Sequence, residues 1–267
     1  MNRPFFIMSQ IQPIPFLIDF DGVINLYGKP APHAKEFLEF LKDNQIPSFI
    51  LSNSTLKTSK DVKNFLRVHN LPFNIPTMTA ADAALKYVEK NYERVSVFCI
   101  DNVKKEFERL IDDDNPQAVI VGDMVDGWSV EILNEIFLKV HKGADLVAMH
   151  MNRYWSPEEN KFVLDAGSFI SAIEYATEKK SILIGKPSPI YFQTALEMLS
   201  YLKDSPFIMI GDDIELDILP VQKMGSKAIL ILTGKTKLPL PSSIAPDFVC
   251  EDLYQVIEVL KDLYSLA

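Results

Sequence analysis

The sequence predicts an α/β fold with a mainly parallel sheet. Short apolar runs alternate with amphipathic stretches along the whole chain, the pattern that such a sheet and its covering helices leave. Phe16 to Phe20 is a continuous apolar run closed by acid, which fits a strand covered on both faces. With 267 residues, 48% of them hydrophobic and 24% charged, the chain is long enough for one large domain or two modest ones and can bury a sizeable core.

Three series of elements follow one another. The strand at Phe16 to Phe20 precedes a helix over Pro32 to Lys42, whose Phe37, Leu38 and Leu41 share one face. Ser48 to Leu51 is the next strand, and Thr58 to Val68 a helix with Val62, Phe65 and Leu66 inward. Two prolines in Asn70 to Pro76 break the pattern. A second series starts near Met78, with a helix over Ala80 to Lys90, a strand over Val95 to Ile100 and a helix over Lys104 to Ile111. A turn at Asp112 to Pro116 precedes a strand at Ala118 to Val121, a helix at Ser129 to Val140, a strand at Leu146 to Met149 and a helix at Phe169 to Thr177. The third series has a strand at Phe207 to Ile210, a helix at Asp217 to Met224, a strand at Lys227 to Leu232 and a last helix at Leu253 to Leu263.

Bulk properties exclude several classes of function. A net charge of −9 argues against a nucleic-acid binder, which needs a basic face to neutralise phosphates. No apolar run approaches the ~20 residues that span a bilayer, so no membrane partner is expected. Arg3, Phe5, Phe6 and Ile7 begin an apolar stretch that Gln10, Gln12, Pro13 and Pro15 interrupt before a signal-peptide core forms. That segment reads as a lead-in to the first strand, and the expected location is cytoplasmic. Cys99 and Cys250 stand far apart in apolar surroundings and read as buried thiols.

Four motifs carry chemistry. In Phe16-Leu-Ile-Asp19-Phe-Asp21-Gly22, two carboxylates spaced i, i+2 sit where a strand ends and a turn begins. Ligands of open α/β sheets bind at the carboxyl ends of strands. Two acids there can hold a hard cation, or one can attack phosphorus while the other shuttles a proton. Alone, Asp-x-Asp-Gly also reads as a plain turn. In Phe49-Ile-Leu51-Ser52-Asn53-Ser54-Thr55, a strand runs into hydroxyl and amide groups ahead of a helix, which suits phosphate oxygens and equally an ordinary helix cap. Leu183-Ile-Gly185-Lys186-Pro187 holds a lysine before a helix, where it can neutralise phosphate. Phe207-Ile-Met-Ile-Gly211-Asp212-Asp213-Ile-Glu-Leu-Asp217 places three aspartates at a third strand end, where they repel unless a cation offsets them. Independent turns are not expected to assemble this set in this order.

The order and the residues closely resemble the haloacid dehalogenase (HAD) superfamily. The resemblance implies a Rossmann-like parallel-sheet core at 1–77 and 183–267, with an inserted α/β cap domain at 78–182 as in NagD-like and p-nitrophenylphosphatase-like phosphatases. Gly185-Lys186-Pro187, Gly211-Asp212-Asp213 and Phe169 to Thr177 look most like the branch with phospholysine phosphohistidine inorganic pyrophosphate phosphatase. It implies a phosphatase acting on a small phosphorylated metabolite, a phosphomonoester or pyrophosphate, with Asp19 as nucleophile forming an aspartyl-phosphate and Asp21 as general acid and base. It implies Mg²⁺ held by Asp19, Asp212 and the backbone carbonyl of Asp21. Ser52, the Asn53 backbone and Lys186 would bind phosphate, with Asp213 and Asp217 behind them. Dehalogenases of the superfamily lack the acid at the position of Asp21, so its presence favours phosphoryl transfer.

The cap would choose the substrate, with Asn152, Arg153, Tyr154 and Trp155 its candidate specificity residues and Asp165 to Ser168 as a second segment facing the cleft. His33, His69, His141 and His150 have no ligand-like spacing and read as structural or surface. A homodimer through the cap is an implication of the resemblance alone. Two other readings compete: a non-catalytic protein that senses a phosphorylated ligand, and a phosphotransferase that passes the phosphoryl group to a second substrate.

Overall fold

The computed structural model describes residues 13–158 and 161–266. Of the N-terminal lead-in, Arg3 to Gln12 lie outside the described residues. β1 (Phe16–Asp19) opens the chain, followed by a small hairpin of β2 (Asn25–Leu26) and β3 (Lys29–Pro30). Then come α1 (Ala34–Asp43), β4 (Ser48–Ser52), α2 (Ser59–Val68) and β5 (Thr77–Thr79). The middle of the chain forms α3 (Ala80–Asn91), β6 (Val95–Phe98), α4 (Asp101–Lys104), β7 (Ala118–Val121), α5 (Val130–His141) and β8 (Asp145–Ala148). A hairpin of β9 (Tyr154–Glu158) and β10 (Lys161–Leu164) precedes α6 (Ala166–Thr177) and β11 (Ile182–Leu183). The last third holds α7 (Pro189–Met198), β12 (Ile208–Gly211), α8 (Leu219–Lys223), β13 (Lys227–Ile231), β14 (Phe248–Cys250) and α9 (Leu253–Tyr264).

Two parallel sheets organise these elements. The first has the order β14-β13-β12-β1-β4-β5 and the second β11-β8-β7-β6, with every pair in both sheets parallel. This is the α/β class that the apolar runs predict. β1 lies between β4 and β12. The chain fills one side of β1 early and the other side late, so the sheet changes direction there, and such a switch point leaves a crevice at the strand ends.

The sequence of each central strand divides between two cores because successive side chains point to opposite faces. Leu17, Phe49, Leu51, Met209 and Leu230 belong to one buried cluster. Phe16, Ile18, Ile50, Ile210 and Ile229 belong to the other, under α1 and α9. The first cluster continues into the second sheet through Val97, Ile120 and Val147, so one apolar core joins both sheets. The opposite face of the second sheet, with Val119, Val121 and Ala148, packs on Ile136 and Ile170 of α5 and α6.

Several elements differ from the sequence reading. The broken stretch at Asn70 to Pro76 ends in β5, which extends the first sheet as far as Thr79. The second sheet extends to Leu183 through β11. The helix expected at Lys104 to Ile111 begins at Asp101 and becomes a 3₁₀ stretch over Lys105–Leu110. The helix expected from Asp217 begins earlier, with a π-helical turn at Ile214–Ile218. The β9–β10 hairpin, unforeseen, is exposed along β10, so no buried apolar run marks it. Among the described residues no helix is long and apolar enough to cross a membrane. Cys99 and Cys250 are free and buried.

Candidate active site

The ends of β1, β4 and β12 meet the loop between β11 and α7 at one cleft of about 760 Å³. Asp19 is the last residue of β1 and is 5% exposed. Its Oδ1 accepts the Phe20 backbone N–H at 2.8 Å and lies 2.8 Å from Lys186 Nζ. Its Oδ2 has no hydrogen-bond partner among the described residues. Lys186 is buried and donates to Asp217 Oδ1 at 2.6 Å, so one ammonium is held between two carboxylates. Asp217 Oδ2 also accepts the Asp213 N–H at 3.2 Å.

Charge is unbalanced in this cluster. Asp19, Asp212 and Asp217 each bring an oxygen within 4.8 Å of the others, and all three are buried. Burial first, and then Asp217, pushes Asp19 well above the usual carboxylate range. The same two causes push Asp212 up to about 6. Burial also raises Asp217, against the pull of Lys186. For Lys186 itself burial works downward, but Asp19 and Asp217 outweigh it and hold the lysine charged.

The donor set fits a hard divalent cation. Carboxylate oxygens are the ligands Mg²⁺ and Ca²⁺ prefer, and negative charge here exceeds the one lysine. Space is kept for the third carboxylate. Gly22 has φ +90°, and a Cβ there would run into the Asp212 carboxylate, as would one at Gly234. Asp212 Oδ2 accepts the Lys235 N–H at 2.6 Å, while its Oδ1 has no hydrogen-bond partner among the described residues. Asp19 and Asp212 are therefore the residues that could hold the ion, with Asp217 committed to Lys186.

Asp21 is placed differently from Asp19. Its Oδ1 accepts from Asn25 Nδ2 at 2.6 Å and its Oδ2 from Ser52 Oγ at 3.0 Å, with Lys57 Nζ at 4.0 Å. The side chain is half-exposed and lines the cleft. Its carboxylate is not in the acidic cluster, which the expected use of its backbone carbonyl does not require. Ser52 is buried, and its hydroxyl is directed at Asp21 rather than into the cleft lining, which passes instead through Asn53, Ser54 and Thr55. Asn53 Nδ2 donates to the Lys186 carbonyl at 3.3 Å. Asp213 caps the following turn by accepting from Glu215 N–H at 2.8 Å, and its Oδ2 pairs with Lys235 Nζ at 2.5 Å.

Of the four specificity candidates in the second sheet's segment, Asn152 and Trp155 line the cleft. Arg153 is exposed and lies 3.5 Å from Glu215. Tyr154 is exposed and packs edge-on to Phe162. The cleft also holds residues the sequence reading missed: Asn25, Lys57, Asp123, His150 and Lys235. Lys235 had a usable signal, because Leu232-Thr233-Gly234-Lys235 is another strand end running into Gly. His150 had none, being a lone histidine after an apolar strand, and it lines the cleft where a structural or surface role was expected.

Comparisons with known proteins bear on this arrangement. A family model described as haloacid dehalogenase-like hydrolase matches residues 16–110, and one described as HAD-hydrolase-like matches residues 183–256. Haloacid dehalogenase-like hydrolase domain-containing protein 2 from Mus musculus is 29% identical over 247 residues, covering 91% of this chain and 93% of that protein. Phospholysine phosphohistidine inorganic pyrophosphate phosphatase from Bos taurus is 30% identical over 226 residues, covering 82% and 83%. The crystal structure of 4-nitrophenylphosphatase from Thermotoga maritima superposes with a TM-score of 0.80 at 27% identity, covering 92% of this chain and 97% of that one.

Proposed function

Because the chain belongs to the haloacid dehalogenase-like hydrolases, we propose that it is a Mg²⁺-dependent phosphatase that works through an aspartyl-phosphate on Asp19. The observation that carries this reading is the pair formed by Asp19 and Lys186 at the floor of the cleft, 2.8 Å apart. A carboxylate and a dianionic phosphate repel, and a fixed ammonium at the point of approach offsets that repulsion. Mg²⁺ bound beside Asp19 and Asp212 would add positive charge at the phosphoryl oxygens.

The protein's own groups account for the rest. Lys186 and the Phe20 N–H hold Oδ1 of Asp19, which leaves Oδ2 to form a bond to phosphorus as the bond to the leaving oxygen breaks. Asp21 gives its proton to that leaving oxygen. Asp21 then takes a proton from water, the water oxygen bonds to phosphorus, and the Asp19–phosphorus bond breaks to release inorganic phosphate and the free carboxylate. Asn25 and Ser52 fix Asp21 for both transfers. Ser54, the Asn53 backbone and Lys186 bind the non-reacting phosphoryl oxygens. The segment 78–182 acts as the cap that selects the leaving group, and a small phosphorylated metabolite is the substrate.

The test is release of inorganic phosphate from p-nitrophenyl phosphate and a panel of metabolite phosphates. Turnover should need Mg²⁺, vanish with EDTA, and vanish in Asp19→Asn while the fold is retained. Mass spectrometry of acid-quenched protein should find a phosphoryl group on Asp19. Turnover that survives Asp19→Asn would overturn the mechanism, and no turnover across the panel would overturn the phosphatase reading. Phosphoryl groups found on a second substrate, without free phosphate, would favour a phosphotransferase.

A further inference from the structure

The part of the cleft lining that comes from the second sheet and the β9–β10 hairpin carries charge that the chemistry at Asp19 does not use. Asp123, His150 and Asp165 follow β7, β8 and β10. Each is more than nine-tenths buried, and each lines the same cleft as Asp19 and Lys186.

The backbone fixes the state of the imidazole. His150 Nδ1 accepts the Asn152 N–H at 3.1 Å, so that nitrogen carries a lone pair and the ring is neutral, with its proton on Nε2. Burial also lowers the pKa of the ring, against the pull of Asp165 and Asp123. Nε2 lies 3.6 Å from Asp165 Oδ1, beyond hydrogen-bond distance, so the neutral ring does not compensate that carboxylate. Asp165 Oδ1 accepts the Ala166 N–H at 2.7 Å. Asp123 Oδ1 accepts from Val125 N–H at 2.9 Å and Trp128 Nε1 at 3.4 Å. The Oδ2 atom of each aspartate has no hydrogen-bond partner among the described residues, and no lysine or arginine there pairs with either.

Around Asp19 the lysines of the cleft are matched by acids, Lys186 by Asp19 and Asp217, Lys57 by Asp21 and Lys235 by Asp213. Asp123 and Asp165, by contrast, line the same cleft with no lysine or arginine partner among the described residues. Each of these two carboxylates keeps one oxygen free of protein donors at the cleft, and a ligand with phosphate at Lys186 and a cation at its other end would pair with both regions at once.

We propose that Asp123 and Asp165 form a binding site for a cationic amine, so that the preferred substrate is a phosphomonoester with an ammonium group at the end remote from phosphorus. This rests on the phosphatase reading for the word substrate, but not for the site. The Ala166 N–H holds Oδ1 of Asp165 and leaves its Oδ2 for the amine. A second phosphate at the same place would meet the two carboxylates, so pyrophosphate should be a poor substrate.

The test compares ω-aminoalkyl phosphates of two to five carbons with the matching ω-hydroxyalkyl phosphates. In Mg²⁺ the wild-type enzyme should prefer at least one amine over its hydroxyl partner by about tenfold or more in kcat/KM, the scale of one charge-assisted hydrogen bond, with the difference mainly in KM. Calorimetric titration of Asp19→Asn with the same pairs should show the same preference in Kd. Asp165→Asn and Asp123→Asn should each bring the ratio toward one. Equal treatment of amine and hydroxyl at every chain length, in both turnover and binding, would overturn the site. An amine preference in binding without turnover of any ester would support the site and sink the phosphatase reading instead.

Discussion

Lys186 decides the state of its neighbours at the scale of single residues. It is the one cation between Asp19 and Asp217, and all three are buried. Lys186→Met should therefore leave two buried carboxylates uncompensated and cost about 3–5 kcal/mol, to be read from urea unfolding. The remaining surplus of charge predicts a response to metal. Adding Mg²⁺ to EDTA-treated protein should raise the melting temperature by several degrees, since saturation at about 100 times Kd contributes about 2.7 kcal/mol. The shift should be lost in Asp212→Asn, and its persistence there would remove Asp212 from the metal site. Asp19, Lys186 and Asp212 were legible in the sequence because each stands beside a strand end or a glycine in a recurring order. Asp123 and His150 were not, because their meaning lies in what faces them across the cleft.

Element ends are where the site gains its rigidity. Tyr191, on α7, is buried and places its hydroxyl 2.7 Å from the Ser52 carbonyl and 2.9 Å from the Met78 carbonyl. The same oxygen accepts the Ser52 N–H at 3.2 Å. One side chain thereby ties the ends of β4 and β5 to the helix that follows Lys186. Tyr191→Phe keeps the ring and strips these buried backbone groups of their partner, so it should cost about 1–3 kcal/mol. A melting curve unchanged from wild type would show that water replaces the hydroxyl. The β5–α3 junction is braced separately, by Asp82 Oδ2 accepting the Thr79 N–H at 2.8 Å and Thr79 Oγ1 accepting the Asp82 N–H at 3.2 Å, a capping box. The long strands and amphipathic helices were legible from periodicity. β5 and β14, three residues each, are too short to show a period, and their pairing depends on partners far away in the sequence.

At the scale of the molecule, one apolar cluster runs through both sheets, and polar contacts close the seam around the cleft. The Asp123 N–H donates to Thr55 Oγ1 at 3.0 Å, linking the wall after β7 to the loop after β4. Thr55→Val keeps the shape but removes that acceptor. The variant should raise KM several-fold and speed amide exchange at Asp123 and its neighbours, with the strands of the first sheet unaffected. Exchange that stays at the wild-type rate would mean the bond does not hold the seam. The α/β class was legible because parallel sheets need near-continuous apolar runs. How the second sheet docks on the first was not, because Val97, Ile120 and Val147 read only as strand residues until their partners are known.

The position of β1 between β4 and β12 has a consequence for biosynthesis. A nascent chain that has emerged through β5 can pair β1 with β4 and β4 with β5, but the other edge of β1 stays open until Ile208 to Gly211 leave the ribosome. Until then Asp19 sits beside an unpaired edge and without Asp212, and unpaired edges invite association with other chains. A ribosome-bound fragment ending before β12 should accordingly stay protease-sensitive and recruit chaperones, and protection should appear once β12 has been extruded.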